Sequence, residues 1–166
     1  VVRPAWARAP AAPPHLRARL GPAGPRATHL PVLDLHWRSL PDSDKLQALS
    51  LEVENAARGV AGVSKSGGAS ASASQRKTAL VTSNGFAGAY QRSSVSLSVS
   101  AIAGEGTGME RDYDYSSASH FEDLKSPAQI GKSAGERAVR RLQPRKVASQ
   151  SVPVIYDRRV AASLLG

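Results

Sequence analysis

Between Ser94 and Ala101 every second residue is a serine, and the residues that alternate with them are Val95, Leu97, Val99 and Ala101. A period of two belongs to a strand with one face in a core and the other open, and no helix sorts residues that way. The neighbouring residues extend the pattern in both directions. Upstream, Asn84-Gly85 offers two residues that tolerate positive φ, which predicts a tight hairpin connection. Downstream, Gly104-Glu105-Gly106-Thr107-Gly108 ends the strand, and a further strand starts at Met109. On it Glu110, Asp112 and Asp114 share one face while Arg111, Tyr113 and Tyr115 share the other. The run from Ala79 to Tyr115 therefore predicts a β-meander.

The fold class that follows is α+β: an antiparallel sheet over about residues 67 to 116, with helices near 43–58 and 127–142 packed on one face. Asp42 or Ser43 can cap the first helix, whose apolar stripe is Leu46, Leu49, Val53, Ala56 and Ala57, and Gly59 stops it. Ser126-Pro127 opens the second with a hydroxyl cap and proline in the first turn. Its stripe is Ile130, Ala134, Ala138 and Leu142, and Pro144 ends it. Residues 64–74 have the Gly/Ser composition of a flexible linker. Ala69, Ala71 and Ala73 nevertheless alternate with serines, and a second strand-like run follows from Lys77 to Thr82, so a small-residue strand is expected there. Val152 to Tyr156 reads as a short buried strand, and Asp157 as the cap of a helix starting at Arg158. Because the sequence stops at Gly166, just after that helix begins, a truncated domain is expected.

Charge narrows the function classes. The formal net charge is +9, yet residues 1–33 hold no acid and five arginines, so much of the excess lies outside the predicted domain. Residues 1–29 are Pro, Ala, Arg and Gly with little else, and prolines interrupt any element before it forms. Two readings are open for them: a disordered extension, or an artefact of a G+C-rich stretch read in the wrong frame. The basic group Arg137, Arg140, Arg141, Arg145 and Lys146 sits at a helix end, where cations complement the dipole. Without interleaved aromatics it argues against nucleic acid as the partner. The absence of cysteine removes disulfides and thiolate metal sites and gives no support to an oxidising compartment. No apolar run approaches the roughly 20 residues of a membrane helix, and a cytoplasmic setting is the default expectation.

Catalytic constellations are absent from the pattern. The glycine cluster at 104–108 lacks the third glycine of G-x-G-x-x-G and the lysine of a P-loop. Glu110, Asp112 and Asp114 point the same way but have no histidine beside them, so solvation or pairing with another element is expected rather than a metal site. His15, His29, His36 and His120 have no metal-binding helical spacing. No catalytic and no metal-ligating residue is assigned.

Four motifs together resemble the TldD/PmbA family, known as modulators of DNA gyrase and microcin-maturation peptidases. They are residues 82–88 (Thr-Ser-Asn-Gly-Phe-Ala-Gly), 99–106 (Val-Ser-Ala-Ile-Ala-Gly-Glu-Gly), 109–115 (Met-Glu-Arg-Asp-Tyr-Asp-Tyr) and 134–146 (Ala-Gly-Glu-Arg-Ala-Val-Arg-Arg-Leu-Gln-Pro-Arg-Lys). The resemblance covers about Leu30 to Gly166 and is nearest the PmbA (TldE) branch. It implies a subunit of a cytosolic zinc peptidase acting on extended, unfolded peptides. In such a pair a TldD-like chain carries zinc on an H-E-x-x-x-H helix, and the PmbA-like chain lacks that motif. Gly166 aligns with the first metal-ligand histidine of the TldD branch, so no cofactor is expected in this chain and zinc is expected in a TldD-like partner. The partner is a TldD-like subunit or a second copy.

The competing classes are a basic nucleic-acid-binding or gyrase-associated module and a gene fragment without independent function. Within the peptidase reading, strand addition to a sheet edge is the natural way to hold an extended peptide. The candidate peptide-edge or partner contacts are Arg111, Asp112, Tyr113 and Tyr115, with core packing as the competing role for the two tyrosines.

Overall fold

The structure, a computed structural model, describes residues 31–161 and Ser163. The Pro/Ala/Arg-rich residues 1–29 and the terminal Leu164, Leu165 and Gly166 lie outside the described residues. Helix α1 (Ser43–Arg58) precedes three strands, β1 (Val63–Val81), β2 (Ala87–Ala103) and β3 (Glu110–Ala118). Helix α2 (Pro127–Arg140) and the short α3 (Arg158–Ala161) follow. The strands form one antiparallel sheet in the order β1-β2-β3, so the expected α+β meander is the observed fold. No helix among the described residues is long and apolar enough to cross a membrane.

The serine alternation governs the layers. Val95, Leu97, Val99, Ala101 and Ala103 of β2 are buried, while the serines between them face the uncovered side. Both long helices lie on the apolar side, closing a core of Val53 and Ala57 from α1, the β2 row, and Ile130, Ala134 and Ala138 from α2. The linker-like residues 64–74 belong to β1, because Ala69, Ala71 and Ala73 pair with Val99, Leu97 and Val95 while Ser70, Ser72 and Ser74 pair with Ser98, Ser96 and Ser94. A partner strand with the same period supplies the register that a small-residue sequence cannot fix alone. The two strand-like runs expected on either side of Gln75 are one continuous strand.

Two expectations are corrected. Asn84-Gly85 does not make a two-residue turn: the connection spans Thr82 to Phe86. Thr82 N–H donates to the Phe86 carbonyl at 2.9 Å and Phe86 N–H donates to Thr82 Oγ1 at 3.2 Å. Positive φ occurs here at Gly85 but not at Asn84, so the type that needs it at both positions is not adopted. The threonine hydroxyl closes a wider loop instead. Val152 to Tyr156 is exposed chain without regular secondary structure rather than a buried strand. An apolar run becomes a strand only with a ladder partner, and none among the described residues pairs with it.

The helices meet through missing side chains. Ser126 and Gln129 form the full capping box that starts α2, and on its inner face Gly131 and Gly135 lie one turn apart. A Cβ at Gly131 would lie 2.5 Å from the Val53 carbonyl oxygen and 2.7 Å from the Ala57 nitrogen; one at Gly135 would lie 2.6 Å from Val60 Cγ2. The neighbour at Gly131 is backbone, which cannot rotate away. Gly→Ala inside a helix ordinarily gains about 1 kcal/mol, but forcing atoms into a packed interior costs about 1–3 kcal/mol. Gly131→Ala is therefore expected to lose up to about 2 kcal/mol in urea denaturation, while Gly108→Ala, where a Cβ meets nothing, changes stability by less than about 0.5 kcal/mol.

Candidate functional site

β3 has β2 on one side and, among the described residues, no strand on the other, a position that normally leaves main-chain donors and acceptors free to recruit another chain. Here the strand's own sequence occupies them. Tyr113 N–H donates to Asp112 Oδ1 at 2.7 Å, and Tyr115 N–H donates to Asp114 Oδ1 at 2.9 Å. The Tyr113 carbonyl accepts from Arg159 Nη1 at 2.8 Å, and the same nitrogen reaches Asp112 Oδ1 at 3.1 Å. The alternating Asp-Tyr-Asp-Tyr sequence thus places an acceptor beside each of two edge amides.

Arg159 is held in place from α3 and α2. Asp157 caps α3, accepting from the Arg159 backbone N–H at 2.9 Å, and it also accepts from Arg137 Nη1 at 3.1 Å. From the end of α2, Arg141 reaches Asp112 Oδ2 at 3.5 Å and Glu110 Oε2 at 3.7 Å. Arg141, Asp112, Arg159, Asp157 and Arg137 form a chain of alternating charge joining β3, α2 and α3. Burial pushes the Asp112 carboxyl up, but the Tyr113 amide and the Arg159 and Arg141 guanidiniums outweigh it and leave its pKa lowered. The amide of Arg159, with the Arg137 bond next, holds Asp157 down at about 2. Burial opposes the charge on Arg159, yet Asp112 and Asp157 raise its pKa.

Arg111, Tyr113 and Tyr115 share the face turned away from the helices, as the strand period requires. The tyrosine rings stack at 6.3 Å, each side chain about half exposed, and the Arg159 guanidinium lies 4.9 Å from the Tyr113 centroid. Core packing of the tyrosines is thereby overturned. The buried positions go to Asp112 and Asp114, which are only 9% and 5% exposed. The register decides this, since Asp112 and Asp114 pair with Ala101 and Val99, whose side chains face the helices. Of the alternatives weighed for these carboxylates, pairing with another element is the one observed for Glu110 and Asp112. Arg137 and Arg141 are used in these ion pairs rather than for the helix dipole alone; their i, i+4 spacing was the available signal. Nothing local marks Arg159.

Zinc, which the resemblance implies for a TldD-like partner, does not fit the carboxylates of this site. Both oxygens of Asp112 face guanidiniums, and among the described residues no three His, Asp or Glu side chains converge as a metal site would need.

The folded unit coincides with a family match. Residues 35–142 match the PmbA/TldA metallopeptidase central domain. The chain is 33% identical over 136 residues to a metalloprotease PmbA homologue of Haemophilus influenzae, covering 81% of this chain and 30% of the relative. It is 38% identical over 84 residues to metalloprotease PmbA of Escherichia coli O157:H7, covering 51% of this chain and 19% of that one. A crystal structure from Bacteroides thetaiotaomicron, named as a candidate modulator of DNA gyrase, superposes with a TM-score of 0.69 at 28% identity over 79% of this chain and 30% of its own. A similarly named Thermotoga maritima structure shares the fold, with a TM-score of 0.60 at 20% identity over 66% of this chain and 25% of its own. The chain belongs to the PmbA/TldD metallopeptidase family. It spans under a third of the length of these relatives.

The charged chain makes stability pH-dependent with a defined sign. A carboxylate with a depressed folded pKa contributes stability that is present above its unfolded value, near 3.9, and lost as pH falls through the folded value. For Asp157 that window runs from about 4 down to about 2. The urea midpoint should therefore fall as pH drops through this range, and Asp112→Asn and Asp157→Asn should each make the fall shallower. An unchanged pH profile in both variants would contradict the assignment.

Proposed function

We propose that this chain is a PmbA (TldE)-like, metal-free component of a TldD/TldE-type peptidase that acts on extended peptides, with zinc held by a TldD-like partner. The observation that carries the reading is the central-domain match over residues 35–142, joined to a site whose best-placed carboxylate is already held by two arginines. Such a site is suited to positioning a chain, which supports the reading. The contact strip is Arg111, Tyr113 and Tyr115 on the open face of β3, with Asp112 behind it anchoring Arg159. Hydrogen bonding of a peptide to the Tyr113 carbonyl requires Arg159 to leave, whereas contact with the stacked rings does not. Exposed tyrosines supply large amphipathic area without demanding one sequence, which suits a variable substrate.

A gyrase-associated or DNA-binding role has less support: Arg137, Arg141 and Arg159 face carboxylates of the same chain, so they are not free for phosphates.

The test combines the full chain with a purified TldD-like chain and follows zinc-dependent cleavage of unfolded casein. The chain alone is expected to be inactive with or without zinc, and the pair active. Tyr113→Ala/Tyr115→Ala should raise KM about tenfold, equivalent to about 1.4 kcal/mol, with kcat and thermal unfolding unchanged. Zinc-dependent cleavage by the chain alone would refute the metal-free assignment, and an unchanged KM would refute the tyrosine strip.

A further inference from the structure

β2 begins at Ala87, but its pairing with β3 begins only at Val95. Residues 87–94 therefore have β1 on one side and, among the described residues, no strand on the other. Segment 31–38 runs past this open stretch, tied down at one end. Ser93 N–H donates to the Leu35 carbonyl at 2.9 Å, Trp37 N–H donates to Ser93 Oγ at 2.6 Å, and the Ser93 hydroxyl donates to the Ser119 carbonyl at 2.8 Å. Between the segment and β2 lies a groove of about 850 Å³, lined by residues that include Val32, Leu33, Arg38, Lys77, Tyr90 and Arg92. Val32 and Leu33 are exposed on one wall and Tyr90 on the other.

The strands that border the groove carry charge of one sign. Residues 63–103 contain Lys65, Arg76, Lys77 and Arg92 and no Asp or Glu. Arg76 and Arg92 are direct cross-strand partners, an arrangement that destabilises a ladder unless an anion lies nearby. Among the described residues none of Arg38, Arg76, Lys77 and Arg92 forms an ion pair, and the groove's acid, Asp34, faces His120 at 3.5 Å. A two-stranded ribbon is marginal in water on its own, and this one carries exposed Leu80 and Val81 as well.

We infer that the groove is a docking site for an extended, acidic segment of a partner protein with interspersed apolar residues, which adds along Ala87–Arg92 in line with β3. The open edge supplies main-chain hydrogen bonds, the cations set the sign of the partner, and the aliphatic wall takes its apolar side chains. The chain's own residues 1–33 do not qualify, since they carry five arginines and no acid. Nucleic acid is the weaker fit, because binding of single strands relies on aromatic platforms and this wall is mainly aliphatic. The inference is independent of the peptidase reading.

The probe is a fluorescein-labelled Asp-Val-Glu-Leu-Asp-Val-Glu peptide, titrated with the full chain by fluorescence anisotropy. Saturable binding is expected, weakened at least about tenfold by Arg76→Glu/Arg92→Glu and unchanged by Lys132→Glu on the far helix. N-methylation of alternate peptide amides should abolish binding to the unaltered protein, a readout that does not depend on any variant folding. Absence of saturable binding, equal loss in Lys132→Glu, or indifference to N-methylation would overturn the proposal. So would displacement of the peptide by a short DNA duplex at lower concentration, or self-association of the chain that the double variant removes in sedimentation.

Discussion

The buried row of β2, from Val95 to Ala103, is the constraint to which every other element answers. α1 and α2 both rest on it, β1 and β3 take their register from it, and its opposite serine row leaves the other face bare. The row is short in bulk, with alanine at 101 and 103 where α2 and the start of β3 come close. Small side chains there match Ala134 and Ala138 on α2 and the glycines that let α2 touch α1. Close approach compensates for small residues, since packed interiors gain from contact density rather than from side-chain size alone. At its far end the row finishes on Ser93, buried but hydrogen-bonded, which ties segment 31–38 and the end of β3 to the sheet.

Burying Asp112 and Asp114 on the helix side of β3 opposes the hydrophobic logic of that face. A carboxylate in such a place is tolerated only with compensating partners. Asp112 has an amide and two guanidiniums; Asp114 has the amide of Tyr115. The compensation also does structural work, because the same contacts fasten α3 and the end of α2 to the sheet edge. An edge strand whose amides and carbonyl are already engaged is a poor template for indiscriminate pairing. Two stretches on the β3 side of the sheet thus differ in kind: the outer side of β3 is closed by its own side chains and Arg159, while the overhang of β2 beyond Val95 is bordered by a tethered segment and a groove.

The sheet and both long helices were legible because their signals are local. Period-two serines, a Ser-Pro helix start and an Asp cap each act within a few residues, and the structure places strands and helices where those signals stand. The faces of β3 were not legible. Asp-Tyr alternation reads the same whichever side is buried, and the choice was made by register against Ala101 and Val99 together with an arginine 47 positions away in sequence. For the same reason Asp112, Tyr113 and Tyr115 could be marked as notable from sequence while Arg159, which fixes the edge, could not. Val152 to Tyr156 failed for the complementary reason: an apolar run says what a segment could bury, and the ladder that would bury it is not encoded in the run.

The uncovered face follows from the same economy of side chains. Ser70, Ser72 and Ser74 of β1 face Ser98, Ser96 and Ser94 of β2, with Ser117 of β3 beside Ser96. Hydroxyls can exchange hydrogen bonds between water and a partner, so the serine stretch of this face is suited to either. Its flatness also lets another layer approach more closely than the roughly 10 Å usual between packed sheets. Tyr113 and Tyr115 rise at the border of that shallow floor, where β3 ends the sheet, and Arg159 braces Tyr113 from the edge. A chain lying on the serines would meet the tyrosines as a wall, so the floor and the wall together define an orientation that neither row of side chains sets alone.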